Sequence, residues 1–407
     1  MESAPKSVRL HIAIFGRRNA GKSSLINALT NQEIALVSEI AGTTTDPVYK
    51  AMEILPIGPV MLIDTAGIDD EGLLGELRVK KTYEVLNKTE LAIIVIDGST
   101  GLTDFDRDII NRVKEKRIPL VGVINKKDIA CYSEEQKKNW EKEIGVDLVE
   151  VSASKRIGID ELKRQIIRKA PMDIHQLKIV GDLINPGDFV VLVTPIDKAA
   201  PKGRLILPQQ QTIRDIIDND AIAIVTKEHE LKETLRNLNK KPSLVITDSQ
   251  AFLKVDADTP KDIRLTSFSI LFARYKGELK QLVMGIKAVE KLKPGSKILI
   301  VEGCTHHRQS DDIGTVKIPR WLRQIAGGEL DFEYVTGVSF PEDLSKYSLI
   351  IHCGGCMLNR QEMQYRLSVA KDKGVPIVNY GVLIAYMLGV LKRALEPFPY
   401  VRFLLED

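Results

Sequence analysis

The chain has 407 residues, enough for two or three domains. Apolar residues make up 44% and charged residues 28%, which is typical of globular domains with sizeable cores. The net charge is +3 with both signs interspersed, so the composition does not indicate a nucleic-acid-binding surface. No apolar run reaches the roughly 18 residues of a membrane helix, and the N-terminus lacks a signal-peptide layout. We therefore expect a cytoplasmic protein that contacts no membrane.

Short apolar runs alternate with longer amphipathic stretches along almost the whole chain. This alternation predicts an α/β fold of βαβ units with mainly parallel sheets. We expect three α/β domains, at residues 1–171, 175–262 and 263–407, the third being Rossmann-like. In the third domain a helix is expected over 276–292, followed by strands at 297–301, 348–351 and 376–379.

The first domain begins with a phosphate-binding loop. The segment 16–23 reads GRRNAGKS and matches GxxxxGK[ST], between an expected strand at 10–15 and an expected helix at 24–29. Glycines in such a loop let backbone N–H groups surround phosphate at a helix N-terminus. Lys22 is expected to reach the β- and γ-phosphates, and Ser23 to bind Mg²⁺. The predicted loop contacts are Gly16, Asn19, Ala20, Gly21, Lys22, Ser23 and Ser24.

Three further motifs each follow an expected strand, where ligands bind in open α/β sheets. In DTAG, Asp64 is predicted to support Mg²⁺ and Gly67 to contact the γ-phosphate. In NKKD, the carboxylate of Asp128 can accept hydrogen bonds from guanine N1–H and N2–H, which adenine does not supply. The segment SASK resembles the loop that offers backbone N–H to guanine O6. The predicted base contacts are Asn125, Lys126, Asp128, Ser152 and Ala153.

The first domain resembles the Era/MnmE-like branch of the translation-factor class of GTPases. The resemblance rests on GRRNAGKSSL at 16–25 and AGTTTD at 41–46. The chain departs from the branch at Arg18, where Pro is usual, and at Thr45, where Arg is usual.

This resemblance implies that Thr44 is the switch-loop ligand of Mg²⁺ and that Asn19 helps to hold K⁺ near the phosphates. Ile68 follows DTAG at the position where Ras-like proteins carry a Gln that orients the attacking water. This chain therefore lacks the Gln that would orient the water. A cation could instead stabilise the transition-state charge, and we expect a K⁺-stimulated GTPase. In the alternative interpretation, Asn19 is a turn residue. The predicted catalytic residues are Asn19, Lys22, Thr44 and Asp64.

Three of the four cysteines and three of the six histidines fall in two short stretches, CTHH at 304–307 and HCGGC at 352–356. Each stretch follows an expected strand, so in a parallel sheet both would lie at one edge. Zinc, an iron–sulfur cluster, a redox-active dithiol and buried cysteines remain alternatives. Gly354 and Gly355 favour a site, because they permit a tight turn with N–H groups facing sulfur. We expect Cys131 to be an incidental thiol.

A K⁺-type GTPase followed by a middle domain, CxH and a distant HCxxC resembles the HydF family of [FeFe]-hydrogenase maturation GTPases. The resemblance implies a [4Fe–4S] cluster on Cys304, Cys353 and Cys356 and a middle domain that dimerises. It also implies a scaffold that carries the diiron subcluster precursor to apo-[FeFe]-hydrogenase, with two radical-SAM maturases upstream and a homodimer or higher oligomer. The candidates for a fourth cluster ligand are His306, His352, Asp197 and water. In the alternative interpretation, the two histidines only donate N–H bonds to cluster sulfurs or cap the strand ends. The expected cofactors are GTP, Mg²⁺, K⁺ and the cluster, with the diiron precursor as cargo.

The main alternative is an RNA-associated GTPase of tRNA modification or ribosome assembly with a structural zinc site. Its weaknesses are the nearly neutral charge, an aromatic content of 5% and the lack of a KH-type GxxG module after the GTPase motifs. A redox-sensing switch is a third interpretation.

Overall fold

The computed structural model describes residues 5–30, 47–67, 73–130, 132–171, 177–196, 205–303, 312–337, 339–341 and 343–405. The chain divides into two compact units, Met1–Ile174 and His175–Asp407. In the part of the chain that the structure describes, no helix is both long and apolar enough to cross a membrane.

The first unit contains a six-stranded sheet in the order β2-β3-β1-β4-β5-β6. Only β2 runs antiparallel to its neighbour, and the other described pairs are parallel. The central strands are continuous apolar runs because helices cover both faces of the sheet. The strands are β1 (Leu10–Phe15), β2 (Val48–Ile54), β3 (Gly58–Asp64), β4 (Leu91–Asp97), β5 (Leu120–Asn125) and β6 (Leu148–Glu150). The helices are α1 (Lys22–Thr30), α2 (Leu73–Asn87), α3 (Asp104–Glu115), α4 (Glu134–Ile144) and α5 (Ile159–Lys169).

The second unit contains two parallel four-stranded sheets. Their orders are β10-β9-β7-β8 and β12-β11-β13-β14. The strands are β7 (Phe189–Val193), β8 (Ile222–Thr226), β9 (Leu244–Thr247), β10 (Arg264–Ser267), β11 (Lys297–Glu302), β12 (Asp331–Thr336), β13 (Leu349–His352) and β14 (Ile377–Asn379). One apolar core connects the two sheets, which explains why they form a single compact unit.

Eleven helices are described in this unit. They are α6 (Leu207–Asp218), α7 (Leu231–Asn237), α8 (Phe252–Asp258), α9 (Phe268–Lys276), α10 (Leu279–Met284), α11 (Ile286–Val289), α12 (Ile318–Ala326), α13 (Arg360–Asp372), α14 (Tyr380–Met387), α15 (Leu391–Ala394) and α16 (Pro399–Arg402). A π-helical turn, Ile313–Lys317, leads into α12.

The predicted α/β class with mainly parallel sheets is confirmed. The division into three domains stays a prediction. The middle sheet extends past the expected boundary at residue 262, because β10 pairs in parallel with β9.

The prediction of one helix over 276–292 is wrong. The segment forms the end of α9 and the two short helices α10 and α11, with Gly285 between them. A Cβ atom on Gly285 would lie 2.1 Å from the carbonyl oxygen of Ile377, so the chain passes directly against β14 at this glycine. This tertiary contact has no signature in the local apolar pattern.

Candidate functional site

The loop between β1 and α1 depends on two glycines. Gly16 has φ 153° and Gly21 has φ 90°, a region that other residues rarely adopt. A Cβ atom on Gly16 would lie 2.5 Å from the Val95 carbonyl oxygen, and one on Gly21 would lie 2.2 Å from Nδ2 of Asn125. The buried Lys22 ammonium donates to the carbonyl oxygens of Gly16 at 2.9 Å and Arg17 at 2.8 Å. The Lys22 ammonium therefore lies against the backbone of the loop that is expected to surround the phosphates.

The expected Mg²⁺ residues lie in contact at the ends of α1 and β3. Ser23 Oγ donates to Oδ2 of Asp64 at 2.5 Å. The other carboxylate oxygen of Asp64, Oδ1, is buried and has no hydrogen-bond partner. Burial raises the pKa of Asp64, although the Ser23 hydrogen bond and Lys22 oppose that shift. A hydroxyl beside a buried carboxylate is a donor set that fits Mg²⁺, which prefers oxygen ligands.

The DTAG and SASK motifs both lie close to the phosphate-binding loop. A Cβ atom on Gly67 would lie 2.7 Å from the Arg18 amide nitrogen, so only a glycine passes so close to the loop. Asn125 donates from Nδ2 to the Ala20 carbonyl oxygen at 2.9 Å and accepts from the Ala153 N–H at 3.0 Å. This single amide therefore connects the loop to the SASK segment.

Asp128 is the exposed carboxylate of this group. Ser152 Oγ donates to Asp128 Oδ1 at 2.6 Å, and this hydrogen bond is the main cause of a lowered Asp128 pKa. An ionised carboxylate offers only acceptors, which is what reading two guanine N–H groups requires.

Two charged residues near these motifs were not expected from the sequence. Asp97, at the end of β4, pairs with Lys126 at 2.6 Å. Lys50 on β2 donates to Asn27 at 3.2 Å, and burial lowers its pKa while Asp64 opposes that shift. Asp97 could have been found, because it follows an apolar strand at the binding edge of the sheet. Lys50 lies in no motif.

The strands that precede the two cysteine segments in the sequence end at one edge of the last sheet. β11 and β13 are parallel neighbours, with Val301 opposite His352. Cys353 Sγ accepts from the Gly303 N–H at 3.1 Å and from the Gly355 N–H at 3.4 Å. Amide hydrogen bonds to sulfur stabilise a thiolate and are a feature of iron–sulfur sites.

Neither Cys353 nor Cys356 forms a disulfide within the described part of the chain, and both are partly exposed. Gly355, at φ 60°, provides the tight turn between them. No group of three or more His, Cys, Asp or Glu residues with metal-binding geometry occurs among the described residues. Cys304, which follows Gly303 directly in sequence, lies outside them.

His352 is buried in a hydrogen-bonded network below this loop. Arg366 Nη1 donates to His352 Nε2 at 3.0 Å, because a guanidinium has no acceptor. The proton is therefore on Nδ1, which donates to the Cys353 carbonyl oxygen at 2.7 Å. Burial, helped by Arg366, lowers the His352 pKa to about 3. The ring is neutral with both nitrogens engaged, so binding iron would require it to lose the Arg366 contact.

Four of the predicted site residues fall outside the described part of the chain, and their roles stay predictions. They are Thr44, Asp197, Cys304 and His306. The incidental thiol Cys131 lies outside it as well.

Comparison with known protein families assigns all three parts of the chain. Residues 11–126 match a model described as 50S ribosome-binding GTPase. Residues 179–277 match the hydrogen maturase F dimerization domain, and residues 280–397 match the hydrogen maturase F tetramerization domain. The two maturase models together cover more than half of the chain.

Individual relatives match part of this chain. The chain is 35% identical over 158 residues to tRNA modification GTPase MnmE of Desulforamulus reducens, covering 39% of this chain and 34% of that protein. It is 37% identical over 171 residues to GTPase Der of Mycoplasmopsis pulmonis, covering 41% and 39%. The chain therefore spans little more than a third of the length of these relatives.

Solved structures give the same kind of partial match. Era of Aquifex aeolicus bound to GDP and AlF4⁻ has a TM-score of 0.37 at 21% identity, over 56% of this chain and 98% of that chain. The FeoB G-domain of Methanococcus jannaschii has a TM-score of 0.30 at 24% identity, over 40% and 97%.

The maturase models follow a GTPase domain in the order that the sequence motifs predict. The resemblance drawn from the cysteine and GTPase motifs is thereby confirmed, and the chain belongs to the HydF family of hydrogen maturases.

Proposed function

We propose that this chain is a GTP-hydrolysing scaffold that holds a [4Fe–4S] cluster and delivers a diiron subcluster precursor to apo-[FeFe]-hydrogenase. The observation that carries the proposal concerns the Cys353 sulfur. It accepts hydrogen bonds from the backbone N–H groups of Gly355 and of Gly303, the residue that precedes Cys304 in the sequence. This arrangement occurs in a chain that has a GTPase domain and both maturase models.

The nucleotide part of the proposal rests on residues already in contact. Lys22 and the loop amides bind the phosphates, and Ser23 and Asp64 hold Mg²⁺. Asp128, supported by Ser152, reads guanine. Ser23 Oγ would bind Mg²⁺ through a lone pair while its proton still donates to Asp64. The oxygen Oδ1 of Asp64 would supply a further acceptor beside the metal ion.

The K⁺ part depends on Asn19, with Thr44 as the switch-loop ligand. Asn19 has φ 61°, a left-handed conformation that Asn tolerates better than most residues. This conformation suits both a cation ligand and a turn residue. The rates of GTP hydrolysis in K⁺ and in Na⁺ distinguish the two interpretations. Faster GTP hydrolysis in K⁺ than in Na⁺ supports the cation ligand.

The cluster part uses Cys304, Cys353 and Cys356 as ligands, with a fourth position left to a weaker group. His306 and Asp197 remain candidates for that position. We assign His352 an orienting role, because its Nδ1–H fixes the Cys353 carbonyl and its Nε2 is occupied by Arg366. When bound, the cluster supplies iron with an exchangeable site, which suits a carrier that accepts and releases a guest.

The partners follow from the same family membership. We propose a homodimer through the middle domain, with further assembly through the last domain, in line with the descriptions of the two models. The two radical-SAM maturases would supply the diiron precursor.

Anaerobic reconstitution with iron and sulfide tests the proposal. The wild-type protein should become brown and bind about four irons per chain, as a [4Fe–4S] cluster requires. C353S should lose most of this iron, whereas C131S should keep it. Lys22→Ala should lose GTP binding and retain iron, because the two sites belong to different units. A colourless protein that binds one zinc would instead support the RNA-associated GTPase.

A further inference from the structure

Lys276 lies directly below the loop that carries Cys353 and Cys356. It is the last residue of α9 and is 2% exposed. Its ammonium nitrogen donates to the carbonyl oxygens of Cys356 at 2.9 Å, Gly355 at 3.2 Å and Leu358 at 2.7 Å. One buried lysine therefore makes three hydrogen bonds to this loop.

The backbone at Lys276 is itself held in place by α13. Arg360 donates to the Tyr275 carbonyl oxygen at 2.7 Å. Gln364 donates to the carbonyl oxygens of Lys276 at 3.2 Å and Gly277 at 3.0 Å. Because α9 follows β10 directly in the chain, the end of this helix connects the middle sheet to the cysteine loop.

A buried ammonium group must be hydrogen-bonded, because burial removes its hydration. The three carbonyl oxygens supply these hydrogen bonds and fix the position of the charge. Bond lengths keep the Cys356 sulfur within about 5 Å of its own carbonyl oxygen, so the ammonium lies within about 8 Å of that sulfur. Salt screens this charge weakly, because Lys276 itself is buried.

We propose that Lys276 is a positioning residue that holds the Cys353–Cys356 loop in its cluster-binding shape and raises the reduction potential of the bound cluster. This inference rests on the proposed cluster. One-electron reduction by an external donor adds one negative charge to the cluster, and the nearby ammonium stabilises that charge. Net charge and hydrogen bonding around a cluster are known determinants of its potential.

The test compares three variants of the full-length chain. K276M removes the charge and all three hydrogen bonds. K276Q removes the charge but keeps an N–H donor. R393M is the matched control, because Arg393 is a buried cation of the same unit that donates to the carbonyl oxygens of Thr259 and Pro260 and pairs with Asp256.

The first measurement is amide hydrogen exchange of residues 353–358 in the cluster-free protein. K276M should lose protection in this segment, K276Q should lose less, and R393M should match the wild type there. Unchanged protection in K276M would overturn the positioning role. This measurement does not depend on iron. It therefore tests the positioning role even if reconstitution fails and the proposed function is rejected.

The second measurement is a redox titration of the reconstituted proteins with dithionite, followed by EPR. K276M and K276Q should both have a lower midpoint potential than wild type, whereas R393M should not move it. Loss of loop structure alone would shift the potential of K276Q less than that of K276M, in line with its smaller loss of protection, whereas loss of the charge shifts both alike. Equal potentials in K276Q and wild type would overturn the electrostatic role.

Discussion

Replacement of Arg366 by Met should strongly destabilise the second unit. Arg366 is fully buried on α13 and pairs with Glu362 at 2.9 Å, where the two side chains are 0% and 5% exposed. It also donates to His352 Nε2 at 3.0 Å and to the Gly337 carbonyl oxygen at 2.8 Å. Met fills a similar volume, so the main effect is the loss of these polar contacts.

The size of the effect follows from what remains buried. Removal of one partner of a buried ion pair costs about 3–5 kcal/mol, because the other charge stays uncompensated. Each further unsatisfied acceptor adds about 1–3 kcal/mol, although these costs are not additive. Loss of the ion pair alone should lower the Tm of a unit of this size by about 6–20 °C.

Differential scanning calorimetry of the cluster-free protein provides the measurement. Added GTP and Mg²⁺ should raise the transition temperature of the unit that binds them. The transition that does not move then belongs to the second unit. The matched control is R214M, because Arg214 forms an exposed pair with Asp218 in the same unit, with side chains 76% and 50% exposed. Exposed pairs contribute about 0–1 kcal/mol.

A double variant separates lost charge pairing from damaged packing. E362M in the R366M background removes the uncompensated carboxylate, so the double variant should be more stable than R366M alone. An R366M variant whose Tm falls no further than that of R214M would refute the reasoning. A double variant less stable than R366M would also contradict it.

Three further outcomes concern the first unit. Burial raises the Asp64 pKa, so this carboxyl favours folding below its unfolded pKa and loses that contribution as pH rises through the folded value. D64N should therefore raise the Tm of the nucleotide-free protein at pH 7 but abolish Mg²⁺-dependent GTP binding, measured by calorimetry; a lower Tm would contradict this. D128N should shift nucleotide preference from guanine to xanthine in a competition assay. An unchanged preference for guanine would show that Asp128 does not read the base. GTP hydrolysis should be faster in K⁺ than in Na⁺, and equal rates would remove the role proposed for Asn19.

The sequence predicts those parts of the fold whose signals are local. The strand at 10–15 agrees with β1, because a six-residue apolar run lies directly before a glycine loop. The strands at 297–301 and 348–351 agree with β11 and β13 to within one residue at each end. β11 and β13 are parallel neighbours, so their carboxyl ends lie at one edge of the sheet, as the sequence predicts.

The residues that the sequence does not reveal are those whose role comes from distant contacts. Lys276 reaches carbonyl oxygens 79 to 82 positions away, and nothing near it in the chain indicates burial. Arg366 and Glu362 have the ordinary spacing of an exposed helical pair, although both are buried. Gly285 breaks an apolar helical pattern only because β14 passes against it.

Activation of apo-[FeFe]-hydrogenase tests the central proposal most directly. The wild-type protein and C353S are produced with the two radical-SAM maturases, purified without oxygen and mixed with purified apo-hydrogenase. We expect hydrogen evolution with the wild-type protein and none with C353S. A hydrogenase that stays inactive with iron-loaded wild-type protein, or that C353S activates equally well, would contradict the account.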